Sequence, residues 1–306
     1  MPHTIEEAPR NEVPLYLFKP RDPMPTATNP LFDRTRLLLG DEAMQRLAGA
    51  RVILFGVGGV GSWCAESLVR SGIGHLTLVD SDRVAPSNLN RQLMATTATV
   101  GQLKVEALRQ RLLTINPQAH IEARPEVYSR DTAHTFALND YDIVIDAIDS
   151  LSHKMELILH ATAVIRQQKE ALWTASGDAH RSQRVRTKTT FFSSMGSALK
   201  LDPTQLRVSE FWQVDGCPLA RALRKRMKQQ ERFPSAKFQC VWSPELRTNL
   251  GTATADPHDM WSTSKAQING TIAHITAIFG FTLAGLAVQH LIQDDKSTQP
   301  QSAQFK

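Results

Sequence analysis

The chain has 306 residues, of which 42% are hydrophobic, so it can form the core of one large domain, with or without an appended segment. A charged fraction of 21% argues against general disorder, and a formal net charge of +5 favours an anionic partner only mildly. The odd and sparse count of three cysteines argues against a disulfide framework, and the lack of a CxxC pair excludes a four-thiolate zinc site.

Residues 1–30 are rich in proline and have few periodic apolar positions, so we expect an extended or disordered leader. After this leader, apolar runs alternate with segments of helical periodicity. The predicted strands are residues 51–55, 75–79, 121–123, 143–147 and 189–192. The predicted helices are residues 62–71, 100–115 and 151–168.

Strands alternating with helices predict an α/β fold, with a Rossmann-like, mostly parallel sheet and helices on both faces. Ligands of such sheets bind at the carboxyl ends of the strands. Two stretches break the alternation: residues 173–188 are predicted to be an inserted loop, and residues 233–265 a long loop region.

A glycine cluster follows the first predicted strand and opens the first long helix. Glycines allow the backbone to turn tightly and approach a phosphate, and the helix N-terminus offers N–H groups to the anion. Asp80 ends the second strand, 19 residues beyond Gly61, where a carboxylate can accept hydrogen bonds from ribose hydroxyls. This pattern predicts a nucleotide site but does not distinguish NAD from ATP. Its glycines are Gly56, Gly58, Gly59 and Gly61.

Polar residues after the second and fourth strands favour ATP. Arg91 and Lys104 could together neutralise a triphosphate, and Asp149 could hold Mg²⁺ against phosphate oxygens. Each residue also has a structural interpretation. Lys104 could be a solvated charge on its helix and Arg91 a cap or an ion-pair partner. Asp146 and Asp149 could cap the following helix, and a structural role is favoured for Asp146.

These motifs together resemble the E1-like superfamily of ThiF and MoeB adenylating enzymes. The resemblance rests on GVGGVGS at 56–62, DSDRVAPSNLNRQ at 80–92, Lys104 and DAIDS at 146–150. It implies that ATP and Mg²⁺ bind here, that Asp149 holds the Mg²⁺, and that an arginine is donated by the partner of a homodimer. Arg34 is the expected donor, with Arg36 as the alternative. Besides the glycines, the implied ATP-binding residues are Asp80, Asp82, Ser87, Asn88, Arg91 and Lys104.

A second stretch narrows the resemblance. Residues 193–204 read SSMGSALKLDPT, and residues 216–220 read GCPLA before a basic helix; both resemble the tRNA threonylcarbamoyladenosine dehydratases. That family uses ATP to activate the threonylcarbamoyl carboxylate on adenosine 37 of tRNA, which then cyclises with loss of water. The resemblance implies an adenylation domain at 31–215 and a C-terminal extension at 216–306.

The basic helix supports a tRNA partner. On a helix, its cations share one face opposite Leu219, Leu223 and Met227, so they could neutralise phosphates without reading bases. The alternative is a solvated basic helix. The predicted tRNA-binding residues are Arg221, Arg224, Lys225, Lys228 and Arg232.

Two other functions stay open. The first is adenylation of a ubiquitin-like sulfur-carrier protein, which the missing CxxC pairs weaken; Cys217 would be the best thioester nucleophile, although a buried thiol is favoured. The second is a dinucleotide-binding oxidoreductase or a non-catalytic binding module.

Residues 268–292 are long and apolar enough to span a bilayer, but their polar residues favour a buried helix or an interface. We expect a cytoplasmic protein, with peripheral or inner-membrane association through this segment as the less favoured alternative.

Overall fold

The computed structural model describes residues 29–175, 186–251 and 269–293. Nearly all of the predicted leader therefore lies outside the described residues. The same holds for residues 176–185 of the predicted inserted loop and residues 252–265 of the predicted long loop.

A seven-stranded sheet forms the centre of the fold, in the order β3-β2-β1-β4-β5-β7-β6. All neighbouring strands pair in parallel except β6, which is antiparallel to β7. This arrangement confirms the predicted α/β class and the mostly parallel sheet. The strands are β1 (Arg51–Phe55), β2 (His75–Val79), β3 (His120–Arg124), β4 (Ile143–Asp146), β5 (Thr190–Ser194), β6 (Arg207–Glu210) and β7 (Gln239–Trp242).

Helices cover both faces of the sheet. Side chains of β1 alternate between two cores, because successive strand residues point to opposite faces: Val52 and Leu54 join one core, and Ile53 and Phe55 the other. Helices α2, α3, α4 and α7 pack on the first face, and α5 and α6 on the second. The helices are α1 (Asp33–Leu39), α2 (Asp41–Gly49), α3 (Gly59–Arg70), α4 (Lys104–Ile115), α5 (Leu151–Ala175), α6 (Pro218–Gln229) and α7 (Ala273–Ile292).

Two helix boundaries differ from the sequence predictions by four residues or more, and strands β6 and β7 were not predicted. Helix α4 begins at Lys104 rather than Val100, because Gly101 has a φ of +87° and the preceding residues form turns. Helix α5 continues to Ala175 instead of ending at Gln168. Strand β7 lies inside the stretch predicted as a long loop, since four residues between polar segments give too short an apolar run to be recognised.

Residues after 215 join the same sheet and core. Strand β7 pairs with both β5 and β6, and α7 lies along α3. The two helices approach closely: a methyl carbon placed on Gly280 would lie 2.4 Å from the Val60 carbonyl oxygen. Helix α7 thus confirms the predicted apolar C-terminal helix.

Within the described ranges, α7 is the one helix long and apolar enough to cross a membrane. Core helices of globular proteins meet the same criterion, and the contacts of α7 with α3 support the buried interpretation of residues 268–292. Ile275, Phe279 and Leu283 are almost completely buried.

Candidate active site

The glycine loop joins the carboxyl end of β1 to the N-terminus of α3. Gly56 has a φ of +85°, and a methyl carbon there would lie 2.7 Å from the Ala147 carbonyl oxygen. A methyl carbon on Gly61 would lie 1.8 Å from the Gly56 carbonyl oxygen. Both positions therefore require glycine, and the tight loop leads directly into α3, whose first N–H groups have no partner within the helix.

Asp80 lies directly beside this loop. Its Oδ2 accepts a hydrogen bond of 2.9 Å from the Val57 backbone N–H, and its Oδ1 accepts one of 2.9 Å from that of Asp82. Burial raises the pKa of the Asp80 carboxyl, while the nearby Lys104 cation opposes that shift. The structure thus places this predicted residue at the loop, at the end of β2.

Lys104 is 6% exposed at the start of α4, so the interpretation as a solvated charge is wrong. Its Nζ lies 2.7 Å from Oδ2 of Asp82, and its backbone N–H donates to the Asp82 carbonyl oxygen at 2.9 Å. This arrangement holds a cation close to Asp80 and the glycine loop.

Arg91 lies over the glycine loop. Its Cγ would be 3.4 Å from a methyl carbon on Gly59, and its Nη1 donates to the Ser87 carbonyl oxygen at 2.8 Å. Asn88 fixes the turn before it, because its Oδ1 accepts a hydrogen bond of 3.1 Å from the Ala85 N–H. The exposed Ser87 therefore contacts Arg91 through its backbone carbonyl oxygen.

The sequence pattern did not identify Gln92 as a site residue. It is 6% exposed, and its Nε2 lies 3.8 Å from the position of a methyl carbon on Gly58. Its buried Oε1 has no hydrogen-bond partner among the described residues. Because buried polar atoms normally have partners, this amide at the glycine loop indicates a ligand position. The sequence signal was its place directly after Arg91.

Asp149 is exposed and follows β4, beyond Ala147, whose Cβ packs against the Gly61 position. A Mg²⁺ ion bound together with phosphates needs one or two protein carboxylates rather than a full protein cage. No group of three metal-binding side chains occurs within the described ranges, and a single exposed carboxylate fits Mg²⁺ of this kind.

Asp146, in contrast, is completely buried and pairs with Lys154 at 2.7 Å, so its predicted structural role is confirmed.

Arg34 lies apart from this constellation, exposed on α1, which packs against α2. Leu37 and Leu38 on the same helix are 75% and 82% exposed. The alternative residue, Arg36, lies 3.6 Å from Asp33 and 3.5 Å from Asp41.

The predicted tRNA-binding residues, on α6 and just after it, fall into two groups. Arg221, Lys225 and Lys228 are exposed on one face. Arg224 donates hydrogen bonds to the carbonyl oxygens of Phe211 and Val214, at 3.2 and 2.8 Å.

Arg232 forms a bidentate pair with Glu156, at 2.5 and 2.7 Å. Hydrogen bonding from this guanidinium lowers the pKa of Glu156. Arg224 and Arg232 therefore hold parts of the fold together.

All three cysteines are buried. Cys217 is 1% exposed at the N-cap of α6, which agrees with the favoured interpretation of a buried thiol. Burial raises the pKa of the Cys64 and Cys240 thiols, so neither is poised as a nucleophile.

Comparison with known proteins identifies the family of this chain. The ThiF family matches residues 32–306. The chain belongs to the ThiF family. A relative from Bacillus subtilis, tRNA threonylcarbamoyladenosine dehydratase, is 30% identical over 270 residues, covering 86% of this chain and 95% of that protein. The Escherichia coli protein of the same name is 32% identical over 278 residues, covering 86% and 92%.

The solved structures agree with this assignment to the ThiF family. The crystal structure of the Escherichia coli tRNA threonylcarbamoyladenosine dehydratase in complex with ATP has a TM-score of 0.66 to this chain. Its sequence is 29% identical, and the match covers 85% of this chain and 93% of that one.

Proposed function

We propose that this ThiF-family chain binds ATP and uses it to cyclise N6-threonylcarbamoyladenosine at position 37 of tRNA. One observation carries the proposal: the glycine loop, Asp80, the Asp82–Lys104 pair, Arg91 and Asp149 all belong to the carboxyl-terminal edge of β1, β2 and β4. Support comes also from relatives named for this reaction over most of their length and from the ATP complex of one of them.

Each residue has a distinct task in this proposal. Backbone N–H groups of the glycine loop and of the N-terminus of α3 contact the phosphates, and the carboxylate of Asp80 receives the ribose hydroxyls. Arg91 and Lys104 neutralise phosphate charge, and Gln92 offers its amide to the same ligand. Mg²⁺ held by Asp149 would screen the remaining negative charge on the phosphates.

The reaction follows from the chemistry of the carboxylate. A carboxylate is a poor electrophile because its oxygen leaves badly, whereas AMP leaves well. The threonylcarbamoyl carboxylate attacks the α-phosphorus and pyrophosphate departs. A nucleophile of the same side chain then attacks the acyl carbon and releases AMP. The second step is intramolecular, so the protein chiefly supplies orientation and positive charge.

The second copy in a homodimer completes the site in this proposal. Arg34 lies on an exposed helix beside two leucines that are more than 70% exposed, Leu37 and Leu38. Exposed apolar side chains of this size are typical of a surface that another subunit covers. We therefore propose that α1 docks on a second copy and delivers Arg34 to its phosphates.

For tRNA, the exposed cations of α6 are the proposed contact. Arg221, Lys225 and Lys228 are spaced four and three residues apart, so they form one stripe along the helix. Such a stripe neutralises backbone phosphates and leaves sequence recognition to other residues. A cytoplasmic location, where tRNA is modified, completes the proposal.

The test is mass spectrometry of adenosine 37 from tRNA incubated with the protein. We expect the loss of one water from threonylcarbamoyladenosine, and we expect it to require ATP and to disappear in Lys104→Ala. Persistence of the uncyclised nucleoside with the wild-type protein, ATP and Mg²⁺ would refute the proposed reaction.

The competing proposal is adenylation of a ubiquitin-like sulfur-carrier protein, which family membership keeps open. ATP–pyrophosphate exchange separates the two. Exchange that requires a carrier protein with a C-terminal glycine, and not tRNA, would select the carrier reaction.

A further inference from the structure

A completely buried ion pair contacts the backbone segment that leads into Asp149, the candidate magnesium ligand. Lys154, on α5, and Asp146, at the end of β4, are both 0% exposed, and the Lys154 Nζ lies 2.7 Å from Asp146 Oδ2. The same Oδ2 accepts a hydrogen bond of 2.6 Å from the Ser193 hydroxyl. Neither charge can touch solvent or a ligand directly.

The pair holds one backbone segment from both sides. Asp146 Oδ1 accepts a hydrogen bond of 3.0 Å from the Ile148 N–H, and Lys154 Nζ donates one of 2.9 Å to the Ile148 carbonyl oxygen. The two peptide groups that flank Ile148 are therefore both fixed, and the second of them leads directly into Asp149. The backbone from which the Asp149 side chain projects is set by these two contacts.

Stability alone does not explain this arrangement. Removing two charges from water is costly, and replacing a buried ion pair by well-packed apolar residues is often neutral or stabilising. The three elements involved, β4, α5 and β5, could be joined by apolar side chains, as they are elsewhere in this core. What apolar side chains cannot supply is a donor and an acceptor for the two peptide groups of Ile148.

We propose that Lys154 and Asp146 are positioning residues that hold Asp149 in the orientation needed to bind Mg²⁺ with ATP. This inference rests on the proposed function, in which Asp149 is the magnesium ligand. Partners that orient metal ligands from behind commonly change metal affinity by 10- to 100-fold when they are removed.

The experiment measures ATP binding by calorimetry over a range of Mg²⁺ concentrations. The test variant is Asp146→Leu combined with Lys154→Met, which removes both charges and so leaves neither buried alone. We expect the Mg²⁺ concentration at half-maximal binding to rise by about 10-fold or more. The melting temperature should also fall, because the Ser193 hydroxyl and the two peptide groups of Ile148 lose their partners.

A control removes an ion pair that joins α3 to α4. The buried Glu66 on α3 pairs with the partly exposed Arg111 at 2.6 Å and also with Arg70 at 2.9 Å. The combination Glu66→Gln with Arg111→Met should leave the Mg²⁺ requirement unchanged.

Asp149→Asn provides the reference that distinguishes positioning from a general structural effect. By itself, Asp149→Asn should raise the Mg²⁺ requirement. Adding Asp146→Leu and Lys154→Met should raise the requirement no further, because all three changes act through the same magnesium ligand. If Asp149→Asn changes the Mg²⁺ requirement and the paired variant does not, the positioning role is overturned. If Asp149→Asn itself has no effect, the proposed magnesium ligand is wrong instead.

If the paired variant does not fold, Lys154→Arg decides the question. This substitution keeps a positive charge next to Asp146. It replaces the compact ammonium group, which donates to the Ile148 carbonyl oxygen, with a larger planar guanidinium. We expect a rise of the Mg²⁺ requirement in the same direction, and an unchanged requirement overturns the proposal.

Discussion

The ammonium nitrogen of Lys104 lies 2.7 Å from Oδ2 of Asp82, and the lysine side chain is almost buried while the aspartate side chain is one-third exposed. The pair is fixed on the protein side by a backbone hydrogen bond between the same two residues. A cation held in this way needs little reorganisation when an anion arrives, which is the condition for strong electrostatic stabilisation of a charged transition state.

Replacing Lys104 by Met should therefore reduce adenylation much more than stability. We expect the rate of ATP–pyrophosphate exchange with tRNA to fall by about 100-fold, because one preorganised charge at the phosphates is lost. The partly exposed Asp82 can be solvated, so the melting temperature should change little. Gln110→Met, at an exposed position of the same helix, is the control. Equal rates for wild type and Lys104→Met would remove Lys104 from the site.

Gln92→Ala tests whether the orphaned amide contacts the nucleotide. Its Oε1 has no partner among the described residues, so truncation breaks no hydrogen bond between that atom and the described part of the fold. We expect the melting temperature to stay within a few degrees and the Kd for ATP to rise by about 3- to 10-fold, because the amide oxygen would lose one hydrogen bond that it accepts from a hydroxyl or amino group of the nucleotide. Exposed Gln102→Ala is the control. An unchanged Kd would assign Gln92 to the fold alone.

A mixing experiment tests whether Arg34 acts across a dimer. Arg34→Ala and Lys104→Ala should each be inactive alone. In a mixed dimer one site would combine the intact Arg34 of one copy with the intact Lys104 of the other. With random exchange of subunits, an equimolar mixture should recover about one quarter of wild-type activity.

Subunit exchange must be verified in this mixture, for example by unfolding and refolding the two variants together. Exchanged dimers without any recovered activity would mean that Arg34 does not act across the dimer.

Charge reversal on α6 tests the proposed tRNA contact. The combination Lys225→Glu with Lys228→Glu should weaken tRNA binding by at least 10-fold at low salt and make the dependence on salt concentration shallower by about two counterions. Among the described residues, neither lysine side chain has a structural partner like that of Arg224, so the fold should be retained.

Gln110→Glu is the control for this surface, because Gln110 is exposed on α4, which packs on the opposite face of the sheet. It should leave tRNA binding nearly unchanged. Equal losses in both variants would indicate a general effect of net charge and not a site on α6.

The sequence predicted the fold well where local and global signals agree. The strand β1, the glycine loop and β2 were recognisable because a buried apolar run, a turn requirement and a helix start follow one another within a few residues. Strand β7 was not predicted, because its burial depends on pairing with β5 and β6. A local pattern of four residues does not indicate such long-range contacts.

The candidate site shows the same division. Residue types and spacing predicted the residues of the glycine loop, Asp80 and Lys104. The orphaned amide of Gln92 and the hydrogen bonds from Asp146 and Lys154 to Ile148 depend on distances between side chains and backbone that no local pattern encodes. For the same reason the sequence could not separate Arg224, bound to backbone carbonyls, from the exposed Lys228.

Two glycines of α7 provide a matched pair that tests how this helix is packed. A methyl carbon on Gly280 would lie 2.4 Å from the Val60 carbonyl oxygen and 2.8 Å from the Cys64 nitrogen, whereas one on Gly285 meets nothing within 4 Å. Gly285→Ala should stabilise the protein by about 0.5–1 kcal/mol, since alanine loses less backbone entropy in a helix.

Gly280→Ala should instead destabilise the protein by about 1–3 kcal/mol, because the added carbon forces α3 and α7 apart. Urea unfolding monitored by circular dichroism measures both changes. The opposite signs follow from packing against α3 and not from helix propensity, which is the same at the two positions. If both substitutions were stabilising, α7 would not be packed against α3 in solution, and the membrane-associated alternative for this helix would regain support.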